Sequence, residues 1–169
     1  MIRGRARQLN VRAEATQYDI KELADARSAI AVGIQVYAEG RYEDALEIFE
    51  AALSKPGTGV KRFRDKPAEI SPGERAAALY NCACCHSRME NVRPGLVAIA
   101  GALESGFEGF KELRTDPDLQ YLRDADPEKF EGLVGRFDPG TAKPGLFGAV
   151  LYQLDPRNSR IYKKSTGQD

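Results

Sequence analysis

One phrase occurs twice in this chain, and its repetition constrains the fold more than any other feature. The clearer copy covers residues 33–53 and the weaker copy covers residues 79–103. Small residues recur where two helices would touch, and bulky residues recur where they would fill the space between them. Gly33 and its counterpart Ala83 lie 50 residues apart. The sequence therefore predicts an all-α chain built from repeated helical hairpins.

The first predicted hairpin consists of two helices on either side of a glycine. Residues 19–39 are predicted to be helical because apolar side chains recur there at three- and four-residue steps. Gly40 suits the left-handed conformation at which many helices end, and a second helix is predicted over about 42–54. The short connection requires the two helices to run antiparallel. The two apolar stripes comprise Leu23, Ala26, Ile30, Gly33 and Tyr37, then Tyr42, Ala45, Leu46, Phe49, Ala52 and Leu53.

The second predicted hairpin begins with a helix-start signal. Ser71 is followed three residues later by Glu74, which predicts a capped helix over residues 72–88. Asn91 is predicted to cap the fourth helix. The pair 105–106, a serine and a glycine, is predicted to end that helix.

A third unit over residues 107–137 is predicted to be a helical cap. Asp116 and Asp126 each precede a proline, so each aspartate is expected to cap a short helix that the proline opens. Two hairpins alone would leave an apolar face in water, because arrays of this kind need about three units for stability. The residues expected to cover that face are Phe107, Phe110, Leu119, Leu122, Phe130, Leu133 and Phe137.

The two ends of the chain are predicted to lie outside this helical domain of residues 19–137. Residues 1–18 are basic, and the acid-free start of this segment is typical either of a transit-peptide remnant or simply of a basic terminus. Residues 138–169 form a Pro/Gly-rich, extended tail. Within it, the apolar run 146–152 either folds back on the helices or serves as a linear motif for a partner, and fold-back is favoured because exposed apolar runs aggregate.

The repeated phrase resembles the tetratricopeptide repeat, a family of helical hairpins that bind other proteins. The family period is about 34 residues, so about 16 residues, 60–75, are an insertion between the two hairpins. The resemblance implies a superhelix whose concave groove binds a peptide segment of a partner and is lined by the first helix of each hairpin. On this chain the implied groove residues are Arg27, Ile30, Ile34, Tyr37, Tyr80, Cys84, Ser87 and Arg88.

The composition of that groove favours one kind of ligand over another. A subfamily that binds chaperone tails clamps a C-terminal carboxylate with lysine and asparagine. Ile30 and Ile34 stand at those positions, and only Asn81 matches. An apolar or amphipathic segment is therefore the expected ligand, and the expected function is a non-catalytic scaffold or assembly factor.

The basic insertion supports an alternative function. Positive side chains around one aromatic ring bind phosphates and stack bases in many RNA-binding proteins. An RNA-associated helical repeat is therefore kept as an alternative, although nucleic acid is the less expected partner because most such loops only confer solubility. The residues concerned are Lys61, Arg62, Phe63, Arg64 and Lys66.

Three adjacent cysteines and the single histidine raise the question of a metal site. Side chains two residues apart on a helix point about 200° away from each other, so Cys84 faces away from Cys82 and His86. Cysteine packing as a small apolar residue is the favoured interpretation, with Cys84 at the groove as a thiol open to oxidation. No catalytic residue, metal or cofactor is expected, because no motif for a nucleophile, phosphate loop or zinc protease occurs.

Composition and a second resemblance bear on location. The formal net charge is zero and no apolar run approaches the roughly 20 residues needed to cross a bilayer. Residues 78–86, Ala-Leu-Tyr-Asn-Cys-Ala-Cys-Cys-His, resemble a phrase of chloroplast tetratricopeptide proteins related to photosystem II assembly factors. That resemblance implies a plastid location, the stroma, in photosynthetic complex biogenesis. A cytoplasmic location and a stable accessory subunit of a large organellar complex remain the alternatives, and the oligomeric state is open.

Overall fold

The computed structural model describes residues 19–140. The predictions for residues 1–18 and for 141–169, including the apolar run 146–152, fall outside the described residues. Between 19 and 140 the chain is helical and contains no β-strand, so the all-α prediction is confirmed. The helices are α1 Ala26–Ala38, α2 Tyr42–Ala52, α3 Pro72–Arg88, α4 Val92–Glu104, α5 Phe110–Thr115, α6 Gln120–Ala125 and α7 Pro127–Phe137, with a 3-10 turn at Pro117–Leu119 between α5 and α6.

Helix α1 begins at Ala26, later than the apolar periodicity predicts. The Ser28 N–H donates to the Asp25 carboxylate at 2.7 Å, and the Asp25 N–H donates to the Ser28 hydroxyl oxygen at 3.2 Å. This reciprocal capping box satisfies two backbone groups that a helix start leaves unpaired, so it determines where the helix begins. Residues 19–24 still contribute to packing, because Ile20 and Leu23 lie against the core from outside the helix.

The helices pack as two successive pairs, α1 with α2 and α3 with α4, and α2 also packs on α3. The same turn ends the first helix of each pair. After α1, Gly40 has φ +78° and Arg41 N–H donates to the Val36 carbonyl at 3.3 Å. After α3, Glu90 has φ +61° and Asn91 N–H donates to the His86 carbonyl at 2.8 Å. Both turns close the last helical carbonyls with a left-handed residue.

The two pairs fill equivalent interior positions with different combinations of side chains. Gly33 in α1 leaves room for the Phe49 ring of α2, since a Cβ on Gly33 would lie 2.5 Å from that ring. Fifty residues further on, Ala83 and Ile99 occupy the corresponding positions, and both are fully buried. Ala83 is larger than Gly33, and Ile99 is smaller than Phe49. The two changes compensate in volume, as close packing requires.

The insertion between the pairs folds back beside the start of α3. The Gly59 N–H donates to the Glu69 carbonyl at 2.7 Å, and the Glu69 N–H donates to the Val60 carbonyl at 3.0 Å. The predicted Ser71–Glu74 capping box is confirmed. The Glu74 carboxylate also accepts the Thr58 N–H at 2.9 Å, so this side chain of α3 holds the segment that precedes the insertion.

Asn91 takes the N-cap position of α4, but its side chain makes no capping hydrogen bond. Its φ of −89° and ψ of 79° lie outside the extended conformation usual for a capping residue. The predicted cap position is therefore correct and the predicted side-chain role is wrong. Gly106, with φ +91°, ends α4 as expected.

The third unit closes the core as a helical cap. The Asp116 carboxylate accepts the Asp118 N–H, and the Asp126 carboxylate accepts the Lys129 N–H, so both predicted aspartate caps are confirmed. Gly95 lets the cap approach α4, because a Cβ there would lie 2.6 Å from Leu122. Of the seven residues expected to cover the core, Leu119, Leu122 and Phe130 are buried, Phe107, Phe110 and Leu133 are half-buried, and Phe137 is exposed.

Candidate functional site

The predicted groove residues on α1 form an apolar surface strip. Ile34 is 49% exposed, and Ile30 beside it is half-buried against the core. Arg27 is exposed one turn before Ile30, and Tyr37 is half-buried one turn after Ile34. Ile34 is therefore an exposed apolar side chain that lies between an exposed cation and a tyrosine.

The predicted groove residues on α3 are partly covered by the chain itself. The Tyr80 ring stacks on Phe107 with centroids 4.8 Å apart, and its hydroxyl donates to the Asp116 carboxylate. Cys84 and Ser87 are buried, at 4% and 3% exposure. The expectation that these two side chains line an open groove is therefore wrong, because the 3-10 turn of the cap packs on this face of α3.

A polar cluster, here named the clamp, joins α1, α3 and the cap. It consists of Tyr37, Arg88 and Asp118. The Arg88 guanidinium donates to the Tyr37 hydroxyl at 3.2 Å and pairs with the Asp118 carboxylate. Donation to Tyr37 and then to Asp118 raises the pKa of Arg88, and burial raises the pKa of Tyr37. Arg88 and Tyr37 therefore each keep one protonation state at neutral pH.

The clamp borders a second surface that the sequence reasoning did not assign. A cavity of about 310 Å³ lies next to Arg88 and Asp118, with Tyr121 and Asp124 of α6 on its far side. The sequence marks Asp116 and Asp118 only as the start of a helix. Asp116 also accepts the Tyr80 hydroxyl, and Asp118 pairs with Arg88. Both contacts depend on the cap lying against α3, and no local pattern in the sequence predicts that packing.

The three cysteines are interior packing residues. Burial raises the pKa of Cys82 and of Cys85 to about 12, and it raises the pKa of Cys84 as well. Thiols in this state are poor nucleophiles and poor metal ligands. Across residues 19–140 no three histidine, cysteine or acidic side chains converge in a way that would hold a metal ion.

The basic insertion is exposed, and two of its four cations are already engaged. Arg62 pairs with Glu69 at 2.8 Å, and the Lys66 ammonium lies 5.1 Å from the centroid of the Phe63 ring. Lys61 and Arg64 are exposed. One of the four cations is thus paired with a carboxylate within the loop, and a second lies against the Phe63 ring.

No helix within the described part of the chain is long and apolar enough to cross a membrane.

Comparison with known proteins finds similarity to a curated protein of Arabidopsis thaliana whose name describes it as chloroplastic. The two sequences are 39% identical over 119 residues. The matched region is 70% of this chain and 31% of that protein, so the chain spans about a third of the length of the relative it matches. No protein-family model matches the chain, and no solved structure matches it.

Proposed function

We propose that this chain is a non-catalytic protein-binding domain of the tetratricopeptide type, which binds an apolar or amphipathic segment of a partner protein against α1. The carrying observation is the exposed Ile34, flanked by Ile30 and held beside the clamp. An extended or helical segment would bury the isoleucine side chains and place a polar group near Arg88 or Arg27. Such helix-lined surfaces commonly bind partners through a few apolar anchors with polar groups at the rim.

The internal repetition supports the tetratricopeptide assignment. Two helix pairs share small residues at one position, bulky residues at another, and the same left-handed turn, each offset by 50 residues. A cap then covers the last pair, as repeat arrays require for solubility.

The chloroplast is the proposed location, because the Arabidopsis relative is named as a chloroplast protein. The stroma, and a part in assembling photosynthetic complexes, are the finer proposals that the phrase at residues 78–86 suggests. A stable subunit of a large organellar complex is the close variant, and it differs only in how long the partner stays bound.

Affinity capture from chloroplast extract tests the proposal with two matched variants. Ile34→Asp places a charge on the proposed surface. Val60→Asp places the same charge on a valine that is 68% exposed in the insertion. The proposal expects one or more proteins captured by the parent chain and by Val60→Asp, and reduced about tenfold or more by Ile34→Asp, as loss of an apolar anchor implies. Equal capture by all three would refute it.

RNA binding through the insertion is the second candidate, favoured by the exposed Phe63 with Lys66 over its ring. The dependence of binding affinity on salt concentration distinguishes the two candidates. RNA affinity should fall steeply between about 50 and 200 mM salt, in proportion to the phosphates contacted, and Lys61→Glu with Arg64→Glu should abolish it. Binding of an apolar segment at α1 should respond little to either change.

A further inference from the structure

An apolar cavity in the described part of the chain lies on different helices from the proposed partner surface. It is a groove of about 940 Å³ between α4 and α7. Its apolar floor and its charged rim are both drawn from these two helices. The lining includes Val92, Leu96, Val97, Ala100, Leu133 and Arg136.

Val97 marks this groove as incompletely covered. It is 66% exposed, and it lies in the middle of α4 with Leu96 half-buried beside it. Phe137, at the end of α7, is 38% exposed. An exposed apolar groove on a helical domain is usually covered by another segment, because leaving it in water promotes aggregation.

The chain itself supplies a candidate segment directly after the groove. Helix α7, one wall of the groove, ends at Phe137, and the described residues end at Gly140. Residues 146–152, Leu-Phe-Gly-Ala-Val-Leu-Tyr, follow without a charged side chain. Among the residues outside the described part, this is the longest uncharged apolar run.

The lengths match. The five residues 141–145 span up to roughly 17 Å when extended, and the 11 residues of α7 form a helix about 16 Å long. A segment that turns back after Gly140 therefore reaches any point along the groove. Tethering by so short a connection raises the effective concentration of the segment to the millimolar range, so even weak contacts suffice to keep it bound.

We infer that residues 146–152 of this chain bind in the groove between α4 and α7, where their apolar side chains cover Val97 and Leu96. The segment then acts as the outer layer of the cap. The surface proposed for a partner protein on α1 remains free.

Thiol labelling of the full-length chain tests this inference. Val97→Cys and Val60→Cys introduce thiols at two positions of nearly equal exposure, 66% and 68% in the described residues. The three native thiols are buried and serve as an unreactive background. Each variant is labelled with a maleimide at about pH 7, where free thiols still react, and the rate is read from intact mass and normalised to the rate in denaturant.

The expected result is that Val97→Cys labels at least about tenfold more slowly than Val60→Cys, as protection by a bound segment requires. Adding Phe147→Asp and Leu151→Asp should restore the rate at position 97 to within about twofold of that at position 60. Equal rates in the parent tail would overturn the inference. Slow labelling of position 97 that the tail substitutions do not change would also overturn it. If the labelling rate at position 97 then rose only when the protein was diluted, a second copy of the chain would be the occupant of the groove.

Discussion

Glu90 shows how a single residue departs from the pattern that surrounds it. Among residues 19–140 it is the only non-glycine residue with a positive φ, at +61°. The equivalent position in the first hairpin is Gly40, with φ +78°. Side chains with a Cβ are strained in this conformation, whereas glycine adopts it freely. The second hairpin therefore carries a local cost that the first avoids.

Glu90→Gly is expected to stabilise the protein. Relief of the left-handed strain should raise the free energy of unfolding by about 0.5–1 kcal/mol, after the greater freedom of glycine in the unfolded chain is offset. Gly40→Ala, at the matching position, should lower it by about 1 kcal/mol. Urea unfolding measures both. A destabilising Glu90→Gly would show that the glutamate side chain contributes more than the turn costs.

The buried thiols predict a loss of stability at alkaline pH. The pKa of Cys82 and of Cys85 is raised to about 12, so these thiols stay protonated in the folded protein. Between about pH 8.5 and 12 the unfolded chain releases protons that the folded chain retains, so the free energy of unfolding falls as pH rises, by at most about 1.4 kcal/mol per pH unit for each thiol. Unfolding measured from about pH 7.5 to 10.5 should show this slope, and Cys82→Ala should reduce it. An unchanged slope would contradict the assignment.

At the scale of elements, the pairing of Gly33 with Phe49 predicts a compensating double substitution. Gly33→Ala places a methyl group 2.5 Å from the Phe49 ring, and overpacking of this kind costs about 1–3 kcal/mol. Phe49→Ile alone leaves a cavity and is also destabilising. Together they reproduce the Ala83 and Ile99 pair of the second hairpin, so the double variant should be more stable than the sum of the two losses implies.

The control for this cycle is Gly73→Ala in the first turn of α3, where a Cβ would meet no atom within 4 Å. It should be neutral or stabilise by up to about 1 kcal/mol. Strictly additive losses in the Gly33 and Phe49 cycle would mean that the two positions do not share one space.

Glu74 predicts a pH-dependent link between α3 and the segment around Thr58 that precedes the insertion. Burial favours a higher pKa, but N–H groups of Thr58 and Ser71 donate to the carboxylate and lower the pKa of Glu74 to about 2. The stabilisation is complete above the ordinary pKa of about 4.3 and is lost as the pH falls towards about 2. Glu74→Gln should lower the free energy of unfolding by about 1–3 kcal/mol at neutral pH. This difference should shrink below about pH 4, and a constant difference from there down to about pH 2.5 would contradict the account.

Most elements could be predicted because their signals are local. Apolar periodicity, the Ser71 cap, the Asp-Pro starts and the glycine turns each act within a few residues of the feature they determine. The apolar periodicity extends before Asp25, so it predicts a start of α1 that is too early. The side-chain cap at Asp25 determines where the helix begins. Asn91 does not cap with its side chain, and its backbone lies outside the extended conformation in which capping residues usually occur.

At the scale of the whole molecule, part of the candidate surface could be predicted and part could not. Arg27, Ile30, Ile34 and Tyr37 lie on the first helix of the described residues, which the cap does not cover, so local spacing sufficed to place them. Tyr80, Cys84 and Ser87 are covered or buried because the cap folds back on α3. Contacts between segments that are distant in sequence, such as Arg88 with Asp118, form only when the chain folds. They produce no periodic pattern in the sequence.

The described part of the molecule thus presents two separate apolar surfaces. The strip on α1 is the proposed site for a partner protein, and the groove between α4 and α7 is the proposed site for the chain's own residues 146–152. The clamp of Tyr37, Arg88 and Asp118 holds the first helix pair, the second pair and the cap together beside the partner strip. Binding at the strip is therefore expected to stabilise the whole domain.

Site-directed photo-crosslinking in intact chloroplasts tests the central claim most directly. A photoreactive amino acid replaces Ile34 in one variant and Val60 in another, and crosslinked proteins are identified by mass spectrometry. The account predicts a discrete protein crosslinked from position 34 and absent from position 60, with the crosslink lost when Ile30→Asp is added. Crosslinks that are the same from both positions, or that come only from position 60, would contradict it.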